Sequence, residues 1–362
     1  MDLVWVFIIA VLVLYICYEY IVETKKYKKN IKLMEEHKIP IVKQFLGHNS
    51  LLFLIIPEFI GKKFHRRSYT YTDSILNDFK RLDTPILAFV SHSSICIYVN
   101  DPQLIKEASI TRKTTVHKAA HVYNVLKLFG DNIVTATDGP EWKRHRTAAN
   151  PAFNEDNCKL VCNTTLKQLK NLREKWERQS NQVNITEDIT HLTLSIISEA
   201  GFGQELNAFS EQAELISDEF KKMGFTKTFQ EVMEIVSSDT LARLLLPKII
   251  FKIFPTKYLK RVDVGFNEFQ RYADYFVQTR RKEMEENSST VRKDLLSLLL
   301  ADGNSLTSQE IIADTFMFLV AGHETTANTT SFSFALLATY PEIQEKIFEE
   351  SSRVFEGVDP SD

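Results

Sequence analysis

The stretch Val320–Thr330 reads VAGHETTANTT, inside the long apolar run LTSQEIIADTFMFLVAGHETTANTTSFSFALLATYP of residues 306–341. Thr307 and Glu310 have the T-x-x-E spacing of a capping box, and Pro341 ends the run. Between them about 33 residues at about 1.5 Å each predict a helix about 50 Å long. A helix this long and apolar on most sides is expected to be central and buried. Its middle does not fit that role. Gly322 and four threonines are poor helix formers, and a buried Glu324 is costly unless paired or neutral.

Three readings compete for this middle. A zinc protease helix needs H-E-x-x-H, but position 327 is Ala327, so the second ligand is missing. A purely structural reading has Glu324 paired and the threonine hydroxyls bonded to carbonyls one turn back. A functional reading has a bent helix that opens a groove. Gly322 then lets a flat ligand approach the backbone, Thr325 either takes up the Ala321 carbonyl or releases it for water, and Glu324 is a proton source. Periodicity alone leaves the last two open.

The rest of the chain gives the setting. It has 362 residues, 44% of them apolar, enough for a large core. The net charge of −3, from 44 Lys+Arg and 47 Asp+Glu, leaves no basic field for nucleic acid. Leu3–Ile21, LVWVFIIAVLVLYICYEYI, is almost unbroken apolar sequence of membrane-spanning length, and Lys25, Lys26, Lys28 and Lys29 follow it. That order predicts a single-pass anchor over 1–22 with the bulk cytosolic. A polar linker and a Pro/Gly connector follow over 23–50, and the main body is expected over 51–362. Residues 45–60 read either as a membrane-surface contact or as core. PILAFVS and ICIYV around the polar HSS predict a two-stranded hairpin, and Asp101-Pro102 then opens a helix. Helical patterns follow at about 141–150, 155–179, 185–201, 209–223, 258–286, 292–301 and 308–340. The segment LLLPKIIFKIFP, 244–255, reads as a lid or a second membrane contact. The fold class is therefore mainly α with a small β-sheet.

DGPEWKRHR places Trp142 and Arg146 at i and i+4, one face of a helix offering a ring and a guanidinium fork. Together with Ala321-Gly322-His323-Glu324-Thr325-Thr326, this pair resembles two elements of the cytochrome P450 family: the long distal helix and the helix that meets a haem propionate. The segments around both elements resemble the family in the same order along essentially the whole chain. The resemblance implies a haem b (iron protoporphyrin IX) monooxygenase of the endoplasmic reticulum membrane. Its electrons would come from NADPH through NADPH-cytochrome P450 reductase, and its substrate would be small and apolar. It implies Glu324 and Thr325 as catalytic residues, feeding and holding protons and water for oxygen cleavage. Trp142, Arg146, Ala321 and Gly322 would bind the cofactor.

The resemblance stops short at the metal. The family's thiolate lies in a glycine-rich loop near its C-terminus, and no cysteine follows Cys162 here. The expectation is a P450 fold lacking its C-terminal haem-thiolate part, with no axial Cys in this chain. The 362-residue chain by itself is then expected to be inactive, with the apolar face of the 308–340 helix uncovered. The alternative is a non-catalytic, membrane-anchored relic without thiolate-bound haem. The anchor has its own test. Carbonate extraction should leave the chain in the membrane, and protease added to microsomes should degrade residues 30–362; protection of that stretch would contradict the anchor.

Overall fold

Leu87, Ala88, Phe89 and Val90 are four consecutive, almost fully buried residues. A strand sends successive side chains to opposite faces, so a run buried on every residue needs cover on both. The cover is visible in the structure, a computed structural model that describes residues 24–43, 71–90, 95–112, 115–137, 139–179, 183–206, 209, 216–246, 248–253, 256–286, 294–301 and 306–356. Leu87 and Phe89 pack on Ile75 and Phe79 of the Tyr71–Leu82 helix. Ala88 and Val90 pack on Met34, Tyr27 and Ile31 of the helical residues 24–36. This strand, β2 (Ile86–Val90), pairs antiparallel with β3 (Ile95–Val99) and parallel with β1 (Ile41–Lys43). The hairpin expected from the sequence is present, and Asp101 caps the Pro102–Lys106 helix by accepting the Leu104 N–H at 2.8 Å. These elements belong to the first of two compact units, 1–117.

The second unit, 118–362, is helical. Its centre is the Ser308–Thr339 helix, capped as the sequence predicts: the Glu310 N–H donates to Thr307 Oγ1 and the Thr307 N–H donates to Glu310 Oε2 at 2.7 Å. Around its first half lie the Pro140–Ala149, Ile185–Phe202, Lys257–Glu286 and Leu295–Leu300 helices. The core between them is aromatic. Phe129 meets Phe316 edge-on at 4.7 Å and Phe269 at 5.1 Å. Buried Arg280 forks onto Asp294, which caps the Leu295–Leu300 helix.

Several elements depart from the sequence reading. The Phe229–Leu245 helix was not anticipated, although Thr228 and Glu231 form a capping box there. Ser237, Ser238 and Asp239 in its middle mask its period. Of the helix expected over 209–223, the described part is Asp218–Lys222. Stretch 23–50 contributes helical residues 24–36 and β1, because Tyr27, Ile31 and Met34 share one helix face. The central helix is buried only as far as Leu319; beyond it only His323 and Ala327 are buried, and Phe332 and Leu336 are 73% and 58% exposed. The anchor 1–22 and segment 45–60 lie outside the described residues. Among the described residues no helix is long and apolar enough to cross a membrane.

Close helix contact supplies a test. A Cβ on Gly265 would lie 3.0 Å from Ile235 Cβ and closer still to its Cγ2, both stiff β-branched atoms. Gly265→Ala should therefore overpack the contact between the Phe229–Leu245 and Lys257–Glu286 helices and destabilise the fold by about 1–3 kcal/mol. Thermal unfolding checks it; an unchanged or raised midpoint would refute the contact.

Candidate functional site

The middle of the central helix changes character at Ala321. Residues 311–317 and 319 are buried, whereas Ala321, Gly322, Glu324 and Thr325 are exposed. Thr325 Oγ1 donates to the Ala321 carbonyl at 2.6 Å. Thr329 and Ser333 repeat the bond to Thr325 and Thr329, at 2.8 and 2.9 Å. The result is a row of hydroxyls each satisfied one turn back, an arrangement that tends to bend a helix. Gly322 sits against the Ile185–Phe202 helix, where an added Cβ would lie 3.3 Å from Ile197 Cδ1.

His323, to which the sequence reading gave no role, is 4% exposed and pins this region. Its Nε2 lies 3.2 Å from the Thr190 carbonyl and its Nδ1 2.7 Å from Ser237 Oγ. A carbonyl only accepts, so Nε2 carries the proton and Nδ1 accepts from Ser237. Burial lowers the imidazole pKa, which favours this neutral form. The signal was present in the sequence: His323 and Ala327 are four apart, and both are buried. Glu324 faces the same side. It lines a cavity of about 490 Å³ of mixed character, with His191, Lys227, Arg261 and His323 beside Leu194 and Ile235. Glu324 and Thr325 are adjacent in sequence but differently engaged, one at the cavity and the other on its own helix backbone.

Trp142 and Arg146 lie on the Pro140–Ala149 helix, which begins after Gly139 at φ 102°. Trp142 is 38% exposed, and exposed Arg146 has no ion pair among the described residues. Their neighbours do the docking. Arg144 Nη2 donates to Glu310 Oε1 at 2.7 Å. His145 Nδ1 donates to Asp314 Oδ2 at 2.6 Å, with both side chains fully buried. The other Asp314 oxygen accepts the Ile133 N–H at 2.6 Å. None of these contacts was read from the sequence. The Pro140–Ala149 helix is thus fixed to the central helix at Glu310 and Asp314. Asp314 lies seven residues before Ala321, about 10 Å along the axis.

Cys96 is half-buried on β3, and burial raises its thiol pKa; Cys158 and Cys162 are exposed on the Glu155–Arg178 helix. Cys17 lies outside the described residues. Among the described residues no group of three or more His, Cys, Asp or Glu side chains could hold a metal ion.

The structure thus combines a long helix that opens at a G-x-E-T element with a second helix, clamped to its first half, that carries an indole and a guanidinium without an ion pair among the described residues. The cytochrome P450 family profile matches residues 26–362, and the chain belongs to that family. It is 30% identical over 328 residues to cytochrome P450 monooxygenase 124 of Postia placenta, covering 86% of this chain and 60% of that one. It is 29% identical over 231 residues to human cytochrome P450 4X1, covering 60% of this chain and 43% of that one. The crystal structure of the cytochrome P450DA heme domain shares the fold, with a TM-score of 0.63 and 21% identity over 89% of this chain and 64% of that one. The chain spans about two fifths to three fifths of the length of these relatives.

The clamp has a pH signature. Burial alone would raise the Glu310 carboxyl, but Arg144 and the Thr307 N–H and hydroxyl bring it down to about 2. A carboxylate depressed in the folded state stabilises above its unfolded pKa of about 4.3, and that contribution is lost as pH falls toward 2. Glu310→Gln should flatten stability against pH between about 4.5 and 2, read as chemical unfolding midpoints. An unchanged acid slope would contradict the clamp.

Proposed function

We propose that the chain belongs to a haem-thiolate monooxygenase that inserts one oxygen atom from O2 into a small apolar substrate. Its electrons come from NADPH through a membrane-bound reductase. The chain's Glu324, Thr325, Trp142 and Arg146 serve the distal and propionate sides, and none of the described cysteines is assigned to the iron. The observation that carries this reading is the change at Ala321: a dry first half of the helix, then an open stretch with exposed Glu324 at a cavity and exposed Thr325 bonded to its own backbone. The donor set fits a haem in two places. Trp142 and Arg146, which has no ion pair among the described residues, fit a propionate, for which a guanidinium fork is a strong, directional partner. Exposed Ala321, with one methyl, leaves room beside a flat ring, while Gly322 lets the Ile185–Phe202 helix approach through Ile197.

Bound haem would supply the oxygen activation; the chain supplies position and protons. Glu324, at a cavity lined by Lys227, Glu234 and Arg261, is placed to take up a proton from water. Thr325 Oγ1 holds its proton on the Ala321 carbonyl and, by rotating off it, can present a hydroxyl to the open face. The buried first half of the helix excludes water from one side of the site.

The same reading places the protein in the endoplasmic reticulum membrane, anchored by 1–22. A supporting feature is the short Lys248–Ile253 helix in the apolar 244–255 segment. Phe251 is buried there, while Ile249 and Ile253, four apart, are 59% and 58% exposed. That leaves an apolar edge suited to a lipid surface or to a lid over an apolar substrate.

Thr325→Ala removes one hydroxyl whose structural bond is only to its own helix. Stability should change little, while peroxide released per NADPH consumed should rise several-fold, at least about threefold. Peroxide and NADPH assays on the full-length, reductase-coupled enzyme check it. Unchanged coupling would return Thr325 to a helix-bending role.

A further inference from the structure

We infer that His145, held by Asp314, is a positioning residue for cofactor binding: it sets the roll of the Pro140–Ala149 helix and thereby aims Trp142 and Arg146. The inference rests on the proposed role of Arg146 at a propionate.

The Pro140–Ala149 helix has 10 residues. A helix that short does not hold itself in water, so its orientation comes from what it docks against. Its buried side chains are His145, Ala148 and Ala149. The two alanines give contact but no direction. Direction comes from His145, with Arg144 beside it. Asp314 fixes one ring nitrogen at 2.6 Å, and both groups are fully buried. The second Asp314 oxygen is held by the Ile133 backbone, so the carboxylate cannot swing to follow the helix. His145 Nε2 lies 3.7 Å from Glu310 Oε1 and, though buried, makes no hydrogen bond. The imidazole is therefore gripped at one nitrogen only, between two carboxylates one helical turn apart. Arg144 anchors the second of these at 2.7 Å.

Trp142 and Arg146 lie about 60–100° around the helix from His145. They sit on the flank of the docked face, where roll matters most. On a helix about 10–12 Å across, a roll of about 20° moves a side-chain tip by about 2 Å, enough to separate a guanidinium from a carboxylate. An Arg146 that makes no ion pair among the described residues does not set this angle. The buried pair behind it does.

The experiment is haemin titration of the full chain in detergent, followed by absorbance, with thermal unfolding recorded on each variant. Arg146→Ala should weaken haemin affinity about tenfold, the loss of one charge-assisted contact. His145→Leu should weaken it by a similar factor. The double variant should be no weaker than Arg146→Ala within about twofold, because His145 acts through Arg146. His145→Asn keeps a donor for Asp314 and should restore most of the affinity. If His145→Leu does not fold, Arg144→Gln, on the outer edge of the clamp, should give a smaller loss that also vanishes in the Arg146→Ala background. A lower melting temperature should persist in the double variants even where the affinity effect vanishes. Multiplying losses in the double variants would overturn the inference, as would native affinity in both His145→Leu and Arg144→Gln. A silent Arg146→Ala with a weakened His145→Leu would overturn it too, and would also remove Arg146 from the propionate; a silent Arg146→Ala is the result that separates failure of that reading from failure of the positioning role alone.

Discussion

Asp314 is a carboxylate with no exposure to solvent, in the first half of a helix whose neighbours are Ala313, Thr315 and Phe316. An ion in such a place is tolerated only with its lone pairs filled. Here they are filled from two directions, by the Ile133 backbone and by the His145 ring. Removing one hydrogen-bond partner of a buried polar group commonly costs about 1–3 kcal/mol. That cost ties the 131–136 loop and the Pro140–Ala149 helix to the central helix, more than 160 residues further along the chain. The loop is further held by Lys118, whose ammonium donates to the Ile133, Val134 and Ala136 carbonyls. The cofactor-facing residues proposed here stand on this frame rather than on contacts of their own.

The central helix divides its work along its length. Up to Leu319 it is packed and, through Thr307, Glu310 and Asp314, bonded to its surroundings. From Ala321 its hydroxyls turn inward on the backbone, and its only deep attachments are His323 and Ala327. His323 reaches two helices at once, through Thr190 and Ser237. A region held at one point and otherwise open is where a bend can be kept and side chains can change partners. The poor helix formers that look misplaced in the sequence are placed where regularity matters least.

Much of the architecture was legible in local signals. The T-x-x-E cap, Pro341, Pro102 after Asp101 and the alternating hairpin each act over a few residues, and each appears where the spacing puts it. The Trp142–Arg146 face and the G-x-E-T element were readable for the same reason. What was not legible depends on tertiary partners. His145 and Arg144 look like two more basic residues in WKRHR, and only the fold shows that they face Glu310 and Asp314, more than 160 residues away. The Phe229–Leu245 helix hid behind its central Ser-Ser-Asp-Thr, whose Ser238 and Thr240 hydroxyls bond to carbonyls one turn back. Glu324 and Thr325 were paired by adjacency, but a helix turns about 100° per residue, and in the structure one lines the cavity while the other serves the backbone.

The central claim is that a buried carboxylate–imidazole contact aims Arg146 at a haem carboxylate. A crystal structure of the haemin complex of this protein tests it most directly. The account predicts Arg146 within about 3 Å of a propionate oxygen, with the His145–Asp314 contact intact behind it. A haem whose propionates are held by other side chains, with Arg146 in solvent, would contradict it.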